Sequence, residues 1–417
     1  MERIPVVVVG AGQAGLSTSY HLTRHGIEHV ILDRGAIGDT WRTRRWDTFR
    51  LVSPNWLNRL PGGWYDGPDP EGFFDSAEML DYLEGYAESF GAPVRTGQAV
   101  TQLRAATGAQ PGRSGFVVET PAGTVAADAV VVASGAFGRP RIPALAERLP
   151  TGIRSVHTDD YRNPADLPSG GVLVVGAGQA GLQIADELVK SGRPVSVSVG
   201  RHGWVPRKVY GRDQMYWRWE NGDFQSVVAG PDATTAVYPF SALARWGGED
   251  FNVRTVHLDG VRLLGHLEAV EDSRVRVAPD LHDRLAAGDD YARTFVGRVR
   301  DFARGRGEDV PEPDLVSHWQ DGEMPRLETE LDLERAGVAT VVWATGFRPD
   351  YDWIAIDEAL AGDRAPVHVR GVSPVEGLYF VGIHRMHEAA AGTVLGVGWV
   401  AEYVADQIAG RLSAGGA

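Results

Sequence analysis

The 417-residue chain contains no cysteine. Disulfide frameworks, thiolate metal sites and Cys-x-x-Cys redox pairs are therefore excluded. Positive charge is also in deficit. Lys and Arg total 41 against 55 Asp and Glu, for a net charge of −14. Nucleic acid and anionic membrane surfaces would repel such a chain at long range, so neither is expected as a partner. No apolar run approaches the roughly 18 residues of a membrane span. Met1 to Pro5 leads straight into a strand pattern without the features of a signal peptide, and a cytoplasmic protein is the expectation. Hydrophobic residues make up 43 %, enough for full cores, and the length suits two or three domains.

What is present is an internal echo. Val8-Val9-Gly10-Ala11-Gly12-Gln13-Ala14-Gly15-Leu16 recurs letter for letter at Val174-Val175-Gly176-Ala177-Gly178-Gln179-Ala180-Gly181-Leu182. Each copy follows a β-branched run and precedes a helical apolar pattern, which is the strand–turn–helix context of a dinucleotide-binding fingerprint. A second echo joins Val130-Val131-Val132-Ala133-Ser134-Gly135 to Val341-Val342-Trp343-Ala344-Thr345-Gly346. Both are buried-strand runs that end in small residues, where a backbone can come close to a ligand. The fold class expected is α/β, with two Rossmann-like dinucleotide-binding domains, the second inserted within the first. Residues 1–165 and 331–417 form the first domain and 166–330 the second. Within the insert, Tyr291 to Ala303 reads as an amphipathic helix and Glu308 to Asp314 as an acidic, Pro-rich loop. A short strand at Leu378 to Val381 and a closing helix from about Gly398 to Leu412 complete the pattern.

A pyrophosphate needs a tight turn, a close backbone and the free N–H groups of a helix N-terminus. Gly10, Gly12 and Gly15 supply these in the first copy; Gly176, Gly178, Gln179 and Gly181 do so in the second. The residues beyond each helix discriminate the ligands. His29 to Asp33 is a strand ending in a carboxylate, and Asp33 suits the ribose hydroxyls of FAD or NAD. The equivalent strand, Val195 to Val199, is followed by Gly200-Arg201-His202 and carries no carboxylate. Arginine pairs with a 2′-phosphate that a carboxylate would repel, so the second site favours NADPH. Arg201 is the leading candidate, with Arg207 and Lys208 as further phosphate partners. The stretch Trp204 to Asp213 could equally meet an acidic substrate.

These residues resemble the bacterial flavin-containing monooxygenase-like (class B) flavoproteins along nearly the whole chain. The resemblance includes both fingerprints, Gly38-Asp39-Thr40-Trp41-Arg42, Val342 to Asp350, and Gly377-Leu378-Tyr379-Phe380-Val381-Gly382. It implies that FAD is reduced by NADPH and that a flavin C4a-hydroperoxide then passes one oxygen atom to a small molecule, most readily at nitrogen and next at sulfur. It also implies that Trp41 and Arg42 lie over the flavin. The family's linker signature is partly kept: His157 and Tyr161 are present, whereas Thr151 and Ile153 stand where Phe and Gly are expected. Tyr161 leans away from Baeyer–Villiger enzymes, which generally carry Trp there. Gly382 is followed by Ile383-His384 rather than by the aspartate of disulfide-type reductases.

The flavin pocket would have to exclude water. Trp41, Trp46, Trp56 and Trp64 cluster near its expected place. Asn55 is the leading candidate to hold the oxygen adduct by hydrogen bonds, with Asn58 second and His384 third; His387 lies nearby. Gly135, Thr345, Gly346 and Gly382 are expected at the cofactors. Ala391 to Gly396, with Thr393 and Leu395, leads into the closing helix, whose N–H groups would face the pyrimidine edge of the flavin.

The function expected is thus that of an FAD- and NADPH-dependent monooxygenase acting on a small-molecule substrate with molecular oxygen, in a chain that could form a homodimer. The alternatives are an NADPH oxidase or flavin reductase releasing hydrogen peroxide, a Baeyer–Villiger monooxygenase, and a non-catalytic protein that binds FAD structurally. No metal site is expected.

Overall fold

The computed structural model describes residues 1–106, 115–228, 250–312, 324–384 and 386–414. The expected loop Glu308 to Asp314 lies outside the described residues from Pro313 onward. Two largely parallel sheets organise the molecule, and each grows from a fingerprint strand. Strand Glu2–Val9 is buried at all of its last four positions, as a strand covered on both faces must be. It pairs in parallel with His29–Leu32 on one side and with Gly123–Val132 on the other, in register Val9↔Leu32 and Val9↔Val132. Val94–Arg95 extends the sheet beyond His29–Leu32, and Leu378–Phe380 lies beside the end of Gly123–Val132. Phe116–Thr120 and Gln102–Ala105 close it as an antiparallel flap, making seven strands.

Helix Gln13–Arg24 starts at Gly12, whose φ of −88° and ψ of −172° are extended. Its buried face includes Leu16 and Leu22 and also the small residues Ser17, Thr18 and Ser19. The closing helix, Val397–Ala414, packs on it through Val400, Ala401 and Val404 in the same core. Small side chains on one helix let the two approach closely.

The second sheet has five parallel strands in the order Arg154–His157, Val338–Trp343, Gly171–Val175, Val195–Ser198, Arg262–Leu264. A three-stranded antiparallel sheet, Leu267–Glu271, Arg274–Val277 and Glu330–Asp332, packs against it. The helix expected at Tyr291 to Ala303 is longer, Leu281–Gly305.

Sheet membership moves the domain edges. The sequence pattern assigns Arg154–His157 and Val338–Trp343 to the first domain, yet both lie in the second sheet, in registers Val156↔Val342 and Val174↔Val342. The physical reason is the turn itself. A Cβ on Gly10 would stand 2.5 Å from the Ala133 carbonyl oxygen, and one on Gly176 would stand 2.5 Å from that of Ala344. Each turn glycine therefore packs on the backbone at the end of its own neighbouring strand, which must belong to the same sheet. The chain crosses between the sheets at a two-stranded ribbon, Arg139–Pro140 with Phe347–Arg348. No helix among the described residues is long and apolar enough to cross a membrane.

Candidate functional site

At the first turn the three glycines do different work. A Cβ on Gly15 would come within 1.8 Å of the Gly10 carbonyl oxygen, so Gly15 is needed for the turn to close. A Cβ on Gly12 would meet nothing within 4 Å. Gly12 instead opens onto a cavity of about 510 Å³ that runs along the carboxyl ends of the strands. Asp33 lines that cavity, but its carboxylate also holds the turn: Oδ2 accepts from the Ala11 N–H at 2.6 Å and Oδ1 from the Gly35 N–H at 2.8 Å. Gln98 joins this end through its N–H to the Asp33 carbonyl, 2.7 Å. This group forms the polar end of the cavity.

The other end is aromatic. Trp41, Phe137 and His384 all line the cavity, and the Phe137 and His384 rings meet edge to face at 5.5 Å. Burial pushes the His384 imidazole below its usual pKa, favouring the neutral ring. Gly392 is fixed by this histidine, since a Cβ there would stand 2.5 Å from His384 Nδ1. Its carbonyl accepts from the Gln13 side chain, 3.1 Å, which ties the C-terminal loop to the start of the fingerprint helix. Gly382, at φ +85°, lines the cavity within 2.6 Å of Ala14 for a Cβ, and Gly135, at φ +82°, lines it with open space around it.

Arg42 does not belong to this set. It turns outward and donates to Glu84 Oε1 at 2.7 Å. Arg34, Arg45 and Arg139 do line the cavity, and of these Arg45, which the sequence reading missed, stands at its aromatic end. Its guanidinium carbon lies 4.8 Å from the Trp41 ring centroid, 5.3 Å from Phe49 and 5.8 Å from Phe137. Arg45 lies beyond the end of helix Asp39–Thr43, so no helical spacing in the sequence marked it.

Asn55 and Asn58 flank a short 3-10 turn, Asn55–Leu57. Asn55 donates from Nδ2 to the Asp69 carbonyl at 2.9 Å, so its amide is partly committed to the fold. Asn58 is 0 % exposed, and neither polar atom of its side chain has a partner. Neither residue lines the large cavity. Leu57, between them, packs with Ala390 and Leu395 of the loop that carries Gly392. Thr393 is occupied in that loop: its hydroxyl donates to the Ala390 carbonyl at 2.8 Å and accepts from the Gly396 N–H at 3.1 Å. His387 sits outside it, its carbonyl accepting from the Val228 N–H at 2.7 Å.

The second turn repeats the first. Gly181 would clash with the Gly176 carbonyl at 2.1 Å if it carried a Cβ, while Gly178 again meets nothing within 4 Å and is exposed at the start of helix Gln179–Lys190. Arg201 follows the next strand, is exposed, and has no ion pair among the described residues. Lys208 is exposed as well. Arg207 is not available to a phosphate. It is 1 % exposed, donates from Nε to Asp213 at 2.6 Å and from Nη1 to the Val52 carbonyl at 2.7 Å, and stacks on Phe73 at 4.6 Å. Arg207 therefore pins the second domain to the first. The ion pair with Asp213 offsets the cost of burying the charge, although Nη2 has no well-formed hydrogen bond.

His157 and Tyr161 are positioning residues. The neutral His157 ring donates from Nε2 to the Gly346 carbonyl at 3.0 Å and accepts at Nδ1 from the Asp159 N–H at 3.1 Å. Burial holds its pKa below the usual value. Tyr161 donates to Glu187 at 2.6 Å, and Thr48 of the first domain donates to the other oxygen of that carboxylate at 2.9 Å. The Thr345 hydroxyl donates to the Arg141 carbonyl, and Gly346 takes φ +78° beside the ribbon.

Residues 7–215 match the family model described as pyridine nucleotide-disulphide oxidoreductase. The chain is 33 % identical over 407 residues to an oxidoreductase of Geobacillus kaustophilus named CzcO-like, covering 97 % of this chain and 98 % of that one. The chain belongs to the pyridine nucleotide-disulphide oxidoreductase family. Within it, the likeness runs to flavin monooxygenases. A probable indole-3-pyruvate monooxygenase of Arabidopsis thaliana is 31 % identical over 211 residues, 49 % of each chain. A flavin-containing monooxygenase from Stenotrophomonas maltophilia shares the fold with a TM-score of 0.66 at 21 % identity, over 99 % of this chain and all of that one. An ornithine N-hydroxylase from Kutzneria, solved with reduced FAD, NADP⁺ and ornithine, does so at 0.62 and 16 %, over 98 % of this chain and all of that one. The protein is thus an oxidoreductase of flavin-monooxygenase type. The family name does not extend to disulfide chemistry here, since the chain has no cysteine to perform it.

Proposed function

We propose that this protein is an NADPH-dependent flavoprotein monooxygenase that oxygenates a small molecule, with nitrogen the preferred atom and sulfur next. FAD would occupy the first turn and its cavity, and NADPH the second turn. The fit rests on two features of the chain. Gly12 and Gly178 are the turn positions where a Cβ meets open space, so a phosphate can approach the backbone at both. The aromatic end of the first cavity suits a flat ring.

The observation that carries the reading is the first cavity, which joins the Gly12 and Asp33 turn to the aromatic end formed by Trp41, Phe137 and His384; Asn58 is the buried amide next to Leu57, which packs on the loop that carries Gly392. Its amide is fully buried and both of its polar atoms are without a protein partner among the described residues. FAD, when bound and reduced by hydride from NADPH, supplies the electrons that activate oxygen. The chain's own residues do the rest. Asn58, behind the cavity wall, would present its uncharged amide to the oxygen atoms through a shift of the Asn55–Leu57 turn on flavin binding. Trp41 and Phe137 exclude water from the ring end. His384, kept neutral by burial, places an uncharged ring in the cavity lining. The loop ahead of the closing helix keeps the N–H groups of Val394 and Leu395 free of acceptors among the described residues. The nitrogen preference draws on the likeness to the N-hydroxylase.

The test is rapid mixing of the NADPH-reduced protein with oxygen. A long-lived oxygenated flavin spectrum, distinct from both reduced and oxidised forms, is expected. Immediate return to oxidised flavin with one peroxide per NADPH would make the protein an oxidase. Failure of NADPH to bleach the flavin at all would remove the enzyme reading.

A further inference from the structure

Arg45 places a cation inside an aromatic box. Trp41, Phe49 and Phe137 stand around its guanidinium, and the side chain also lines the first cavity. One N–H donor, Nε, is buried without a partner, while Nη1 donates to the neighbouring Arg44 carbonyl at 3.1 Å. No carboxylate forms an ion pair with it among the described residues. Asp159 lies near enough to act on it electrostatically, but the contact that Asp159 makes is with Arg44, at 3.7 Å. A buried cation without a counter-charge is costly, and a fold that keeps one holds it for a negative group arriving from elsewhere. Arg45 lines the first cavity, so that group comes from there.

We infer that Arg45 is the fixed cation of the flavin site, held to meet the negative charge that the isoalloxazine ring acquires on reduction. The inference rests on FAD occupying the first cavity. Hydride leaves the nicotinamide carbon with both electrons of its C–H bond and forms an N–H bond on the flavin. The nicotinamide becomes cationic NADP⁺, and the neutral oxidised ring becomes an anion with no proton taken up. A pyrophosphate is the competing anion, and the arrangement disfavours it. The pyrophosphate has its own backbone cradle at Gly12, fixed to the polar end by the Ala11–Asp33 bond. Arg45 belongs to the opposite group, joined through Phe137 to His384 and through His384 to Gly392. An anion there strengthens its interaction with the cation only when the ring is reduced, so Arg45 acts as a positioning charge that tunes the flavin.

The experiment compares wild type with Arg45→Met and Arg45→Lys, without NADPH or substrate. Three quantities are measured: the affinity for oxidised FAD, the two-electron midpoint potential against a reference dye, and the melting temperature of the FAD-free protein. Arg45→Met should bind oxidised FAD close to wild type and bind reduced FAD about tenfold more weakly. That lowers the potential by about 30 mV, at 29.6 mV per tenfold for a two-electron couple. Arg45→Lys keeps the charge and should retain most of the wild-type potential. The FAD-free Arg45→Met protein should melt no lower than wild type, because an unpaired buried charge has been removed. Weaker binding of oxidised FAD at an unchanged potential would make Arg45 a phosphate ligand and overturn the inference. So would an unchanged potential with unchanged affinity, or a Met variant that fails to fold. If wild type itself binds no FAD, the assignment of the first cavity fails, a result distinct from all of these.

Discussion

A Cβ on Gly15 would stand 1.8 Å from the carbonyl oxygen of Gly10, while one on Gly12, between them, would touch no protein atom within 4 Å. The two kinds of glycine should fail differently. Gly15→Ala should destabilise the folded chain by about 1–3 kcal/mol through overpacking, whether or not flavin is present. Gly12→Val should leave the FAD-free protein melting near wild type and abolish flavin occupancy. Thermal melts and the protein-to-flavin absorbance ratio read the two effects separately. A yellow Gly12→Val protein would show that the first turn holds no pyrophosphate.

Arg201 and Arg207 make a second contrast. Arg201→Ala should weaken NADPH by roughly ten- to a hundredfold and leave NADH nearly unaffected, since only NADPH carries the 2′-phosphate. Arg207→Ala should instead cost about 3–5 kcal/mol of stability by stranding Asp213 in the interior. Its nucleotide preference should not change. Steady-state KM values for both nucleotides, set beside melting curves, check this; equal losses for NADPH and NADH in Arg201→Ala would remove its role.

Asn58→Ala should uncouple the enzyme more than Asn55→Ala. Asn55 already donates to the Asp69 carbonyl, whereas the Asn58 amide is uncommitted. Flavin reduction by NADPH should persist in both variants. Loss of one preorganised donor costs about 2.7–4 kcal/mol where charge develops, so the peroxide released per NADPH should rise sharply in Asn58→Ala. A larger rise in Asn55→Ala would return the role to that residue.

Stability should fall as the medium is acidified below neutrality. Burial lowers the pKa of His21, His29, His157, His202, His368 and His384 from the ordinary 6.5. The unfolded chain then takes up protons first, so the neutral rings stabilise the fold above about pH 6.5 and that stability is lost as pH drops towards the lowered folded values. Each histidine contributes at most about 1.4 kcal/mol per pH unit. Glu71 and Glu187 are raised by burial and act in the opposite sense, near the carboxylate range. Melting temperatures of the FAD-free protein at pH 7.5 and 5.5 test the sign; a higher value at pH 5.5 would contradict it. His157→Gln should reduce the slope.

The sequence by itself determined both nucleotide turns, because they are local. A β-branched strand, three glycines at fixed spacing and an amphipathic helix need no distant information. It also contained the second echo, in which each turn has a strand ending of matching pattern. Only the tertiary structure decided which strand that was. Val338–Trp343 is separated from Gly171–Val175 by the whole insert, and apolarity on both faces says that a strand is central without naming its neighbours. The same limit governs the charged residues. Arg42 and Arg45, or Arg201 and Arg207, are alike in composition and close in sequence. Their fates differ because partners brought from far along the chain decide them: Asp213, Phe73 and Val52 bury Arg207, Glu84 draws Arg42 outward, and Phe137 helps to enclose Arg45. Local pattern fixes the backbone turn, but the free energy of a buried charge depends on what surrounds it in space.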